Sequence, residues 1–141
     1  MKIRNTIYNQ ILYYCPNVPP EVGGVLGARN DIIDSVFFDF GLHRDKMAVY
    51  TPNVDRLNKA ITQWHNDGVE FLGMFHSHPK GQESLSSDDI EYINSIMHNM
   101  PERVKTLYFP IIIPKSHIVP FKAINQNHNI LILSDTIDLV P

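Results

Sequence analysis

The chain has 141 residues, a formal charge of −3 and one cysteine. That length suits one domain with a real core, the mild acidity leaves no electrostatic footprint for nucleic acid, and a lone thiol excludes an internal disulfide. No apolar run approaches the ~20 residues of a membrane span and no signal peptide is apparent, so a reducing cytoplasm is the expected location.

Ile3, Ile7, Ile11 and Tyr14 recur at helical spacing and predict a first helix near 4–14, stopped by Pro16. Cys15 reads as a buried hydrophobe, because no charged neighbour stands ready to activate its thiol. The run Pro19-Pro20-Glu21-Val22-Gly23-Gly24-Val25-Leu26-Gly27 leads into a predicted strand over 22–28, where the glycines permit close backbone approach. A second strand over 32–40 follows the turn Arg29-Asn30-Asp31, and the pair predicts a hairpin. Residues 47–51 are a third strand candidate. Asn53 then caps a helix carrying Val54, Leu57, Ile61 and Trp64 on one face, ended by Asn66-Asp67-Gly68. Trp64 is expected to anchor the core.

Residues 69–75 are mostly apolar and suit a buried strand, which ends in His76-Ser77-His78-Pro79. Strand side chains at i and i+2 share a face, so His76 and His78 would point the same way and could share one metal ion. After a further seven residues come Ser86-Ser87-Asp88-Asp89. Ile90, Ile93, Ile96 and Met97 form a helical stripe, with Ser86 as the expected N-cap and Asp89 at the third helical position. Asp89 would be a third ligand, and three protein ligands leave a position for water, the mark of a catalytic zinc site. By itself Ser86-x-x-Asp89 is also an ordinary capping box, and the two readings are compatible. A hydrolytic site needs a base for its water, and Glu21 is the best candidate, although composition alone would make it a surface glutamate.

Beyond this helix, ended near Pro101, residues 104–113 form a strongly apolar strand candidate in which Pro110 argues for a bulge or an edge. Strands over 118–124 and 129–133 flank a turn at Gln126-Asn127-His128. His43, His65, His98, His117 and His128 lack metal-ligand spacing and read as surface or structural residues. Strands mixed with three helices predict an α/β fold around one mixed sheet.

Glu-Val-Gly-Gly-Val-Leu-Gly, then His-Ser-His-Pro, then seven residues to Ser-x-x-Asp, resembles the JAMM (MPN+, JAB) zinc metalloprotease family, and most closely its small prokaryotic JAB-type members. The resemblance implies one such domain spanning 1–141 with a cytidine-deaminase-like arrangement. It implies one Zn²⁺ per chain on His76, His78 and Asp89, Glu21 as the catalytic acid and base, and Ser86 as a stabiliser of the oxyanion. It further implies isopeptidase or peptidase action on the tail of a ubiquitin-like or sulfur-carrier protein; charge and hydropathy, as above, predict no nucleic acid or membrane partner. Leu85 stands where many members carry proline, which bears on the loop over 80–85 but removes no ligand. Gly23 and Gly24 are candidate substrate-binding positions if an extended tail adds there as a strand; tight packing is the other reading. Two alternative functions are a RadC-like protein, which shares the His-x-His and Ser-x-x-Asp pattern, and a non-catalytic zinc-binding scaffold.

Overall fold

The computed structural model describes residues 1–18, 20–41 and 50–141. Its elements run β1 (Lys2–Arg4), α1 (Asn5–Tyr14), β2 (Gly23–Arg29), β3 (Ile32–Asp39), α2 (Val54–Asn66), β4 (Glu70–Ser77), α3 (Ser87–Asn99), β5 (Thr106–Tyr108), β6 (Ile111–Ile113), β7 (His117–Val119), β8 (Phe121–Gln126), β9 (Asn129–Ser134) and β10 (Asp138–Val140). The strand candidate over 47–51 and His43 fall wholly or mainly outside the described residues, and Tyr50 and Thr51 carry no regular structure. No helix among the described residues is long and apolar enough to cross a membrane.

The strands form one mixed sheet in the order β10-β1-β3-β2-β4-β5-β8-β9, with β6 joined to β4 and β7. β2 and β3 make the expected antiparallel hairpin, and β4 pairs antiparallel with the other side of β2. Proline decides the rest. Pro110 has no N–H to give a ladder, so the run expected as one strand over 104–113 divides into β5 and β6. β5 lies beside Gly73 of β4, while β6 lies beside His76 and Ser77. Pro120 divides the next run in the same way: β7 returns along β6 and β8 along β5. The sheet therefore forks at the end of β4 that carries the histidines. The expected turn before β9 is tight, with Asn127 and His128 at φ 52° and 70°, the primed geometry that suits two-residue hairpins.

Two apolar clusters cover the sheet. Ile3, Ile11, Cys15, Leu26, Ile33, Phe75 and Ile112 pack together under α1, and burial pushes the Cys15 thiol up to about 12. Ile93 and Met97 of α3 pack with Leu107, Phe109 and Ala123. Ile90, expected on that same stripe, is instead 41% exposed, and Val54 at the start of α2 is 55% exposed. Trp64 is half-buried and lies over Gly27.

The strand-addition reading of Gly23 and Gly24 is corrected by this topology. Gly23 pairs with Asp39 on one side and His76 on the other, and Gly24 with Phe38 and Phe75, so neither presents a free edge. They serve close packing. A β-carbon on Gly24 would stand 2.0 Å from the Phe37 carbonyl oxygen and 2.8 Å from the Phe75 ring. Gly24→Ala is therefore expected to cost at least the ~1–3 kcal/mol typical of overpacking. Urea unfolding checks this; an unchanged midpoint at unchanged slope would mean that the sheet gives way freely.

Candidate metal centre

β4 delivers its two histidines to the face occupied by α3 because of a bulge. Leu26 pairs with Gly73 but Gly27 pairs with Phe71, so Leu72 has no partner in β2 and side-chain alternation reverses there. Phe71 and Met74 consequently meet the cluster under α3, while Leu72 and Phe75 meet the cluster under α1. Beyond the bulge, His76 and His78 follow Met74 at strand spacing.

The two Nε2 atoms lie 2.8 Å apart. Asp89, in the first turn of α3, places Oδ1 3.1 Å from His76 Nε2 and Oδ2 3.3 Å from His78 Nε2. One ligand atom from each residue lies within 4.8 Å of the others, a grouping able to hold a metal ion. The Nδ1 contact of His78 supports this use: Nδ1 is 3.0 Å from the Gln82 carbonyl, an acceptor only, so Nδ1 carries a proton and, in the neutral ring, Nε2 is the nitrogen left to ligate. Two nitrogens and a carboxylate converging on one point fit a divalent transition metal such as zinc. The carbonyl is brought round by the Pro79–Gln82 turn, where Gly81 takes φ +92°. Leu85 ends this loop by packing against the cluster beneath α3, a foothold different in kind from a proline.

Asp89 has two duties. Its Oδ2 accepts from the Ser86 backbone N–H at 2.9 Å, and its own N–H donates to Ser86 Oγ at 3.0 Å, a complete capping box. Burial raises the Asp89 pKa, but the hydrogen bonds to His76 and His78 outweigh it and hold the carboxyl well below the usual range. Burial likewise works against the His78 imidazolium, yet its bonds to Asp89 and Gln82 raise the pKa overall.

Glu21 is half-buried just before β2 and lines two clefts, one shared with His76 and Asp89 and the other with His78. Burial raises its pKa against the pull of both imidazoles and of a hydrogen bond from the Tyr50 backbone. Its position is set by Ser77, to which the sequence reading gave no role. Ser77 is 3% exposed; its N–H donates to the Val22 carbonyl at 2.7 Å, and its Oγ accepts from the Val22 N–H at 2.9 Å. The residue between the two histidines thus clamps the Glu21 segment to the ligand strand. Ser77→Ala leaves the Val22 N–H buried without a partner, and a loss of about 1–3 kcal/mol is expected in denaturant melts. A cost near zero would mean that the main-chain bond alone holds the segment.

Among the described residues, the other histidines stand apart from this cluster. His65, His98 and His128 are exposed, and His117 Nε2 donates to Glu83 Oε1 at 2.7 Å on the surface.

An α/β sheet that forks beside a His-x-His pair and the aspartate of a capping box is the arrangement of a JAB-type domain. Residues 8–127 match the model for prokaryotic homologs of the JAB domain, and the chain belongs to that family. The fold is similar to the solution structure of a Desulfitobacterium hafniense protein, at 17% identity and TM-score 0.66, covering 99% of this chain and 93% of that one. It is also similar to that of a Salinibacter ruber protein, at 17% identity and TM-score 0.60, covering 99% and 92%. No curated protein matches the chain.

Proposed function

We propose that this chain is a zinc-dependent peptidase or isopeptidase that hydrolyses an amide bond at the C-terminal tail of a ubiquitin-like or sulfur-carrier protein. The observation that carries this reading is the convergence of His76, His78 and Asp89 where two clefts meet at Glu21. Zinc bound there would polarise the scissile carbonyl and bring the pKa of water towards ~7. Glu21 takes the proton of the attacking water and returns it to the departing amine; a carboxyl whose pKa is raised by burial suits a group that must hold a proton between those steps. Ser86 Oγ already accepts from the Asp89 N–H, so its own proton is free to be donated to the developing oxyanion. With Gly23 and Gly24 enclosed in the sheet, an extended tail is expected to follow the clefts on either side of Glu21 rather than add to β2.

Metal analysis of purified protein is expected to give one zinc per chain, lost in His76→Ala/His78→Ala. Full occupancy in that double variant would sink the ligand assignment. A zinc-loaded wild type that cleaves none of a panel of Gly-Gly-tailed carriers and their conjugates would favour a non-catalytic scaffold.

A further inference from the structure

The cleft on the α3 side of Glu21 has a volume of about 220 Å³ and is walled by Tyr50, Met74, Tyr92, Ile93 and Phe109. We propose that it is a subsite for an apolar side chain of leucine or methionine size, carried by the substrate residue that follows the scissile bond; this rests on the hydrolase reading above. The cleft shares His76, Asp89 and Glu21 with the metal centre, so a side chain seated in it brings its own backbone to the ligands. Its size falls below the ~300–1,000 Å³ of small-molecule and cofactor sites and is enough for one apolar side chain.

The walls select by chemistry. The Tyr50 hydroxyl, the obvious polar handle, already donates to Asp39 at 2.8 Å, which leaves Tyr92 Oη, with its long 3.9 Å contact to Met74 Sδ, as the tyrosine hydroxyl of the walls that could meet a polar group. An amide or hydroxyl side chain entering here would exchange its hydration for at most the Tyr92 hydroxyl among these walls. Acidic side chains meet Glu21, Asp88 and Asp89, all at the same cleft. The walls are also preformed. Asp39 is 1% exposed and holds both the Tyr50 hydroxyl and the Asn53 N–H, and the Tyr50 ring leaves no room for a β-carbon on Gly23. A rigid apolar wall favours binding because little ordering remains to be done when the side chain arrives.

The test uses zinc-loaded Glu21→Gln protein and two series of acetylated peptides, X–Gly and Gly–X, with X as Gly, Leu, Phe, Lys or Asp. Affinity is measured by calorimetry and occupancy by the ¹³C-methyl signal of Met74. In the Gly–X series leucine is expected to bind at least 10-fold tighter than glycine, the discrimination that even one methylene commands in an apolar pocket. Lysine and aspartate should bind no tighter than glycine, and the Met74 signal should move with leucine alone. Ile93→Ala enlarges the cleft and should shift the preference to phenylalanine; if that variant does not fold, Met74→Ala tests the same wall from the strand side, with affinity as its readout. Equal affinity for glycine and leucine, a preference for lysine, or no binding by any peptide would overturn the subsite. A leucine peptide that binds selectively but is never cleaved by wild type keeps the subsite and removes the hydrolase. Wild-type cleavage with equal kcat/KM for glycine and leucine does the reverse.

Discussion

Glu21→Gln is expected to retain zinc and to slow hydrolysis of a cleaved tail substrate about 10²–10⁴-fold, the usual weight of general acid–base catalysis. The amide matches the carboxylate in size, and the two hydrogen bonds between Val22 and Ser77 do not involve the side chain that is changed. The segment should therefore stay where it is while losing the ability to accept a proton. Because His76, His78 and Asp89 are untouched, zinc content should match wild type in the same sample. A zinc-replete variant working at the native rate would assign the base to another group.

Ser86→Ala separates two roles of one hydroxyl. As a cap, Ser86 should be worth about 1 kcal/mol of stability. As an oxyanion donor it should be worth about 10²–10³-fold in kcat with KM nearly unchanged, since that bond strengthens only in the transition state. Both losses are expected together. The structure makes the experiment cleaner than a capping ligand would suggest. Alanine keeps its backbone N–H, so the 2.9 Å bond to Asp89 Oδ2 survives and continues to orient the carboxylate. Kinetics and zinc content measured on one preparation decide the matter. A folded, zinc-replete Ser86→Ala protein with native kcat would leave Ser86 as a helix cap only.

The convergence of His76, His78 and Asp89 was legible in the sequence because its geometry is local. Strand period two aligns His76 with His78, and a capping box puts Asp89 in the first turn of α3. Which face the histidines would take was not legible. It depends on the extra residue at Leu72, and nothing in Phe71-Leu72-Gly73 distinguishes a bulge from regular alternation. The role of Ser77 was hidden for a related reason: its partner, Val22, is far away in sequence, and the hydroxyl acts on backbone rather than on a side chain. Pro110 announced an interruption, but that the two pieces would pair with different stretches of β4 is a tertiary outcome. Gly23 and Gly24 signalled close approach correctly; only the structure shows that the approaching groups are Tyr50, Phe37 and Phe75. β1 and β10 have three residues each, too few to show a period, and they exist by pairing with one another.

The buried carboxylate of Asp39 has a consequence for how the fold accommodates change. It ties down Tyr50 and Asn53, while Gly41 lies so near Thr51 that a β-carbon on it would be 2.7 Å from the Thr51 carbonyl oxygen. The chain on either side of positions 42–49 is thus gathered at one point, independently of what lies between. Flexible material inserted between two fixed anchors costs only about 0.6 kcal/mol for each doubling of its length. An insertion between Gly41 and Tyr50 should accordingly leave Tyr50 anchored on Asp39 and the adjoining cleft wall in place.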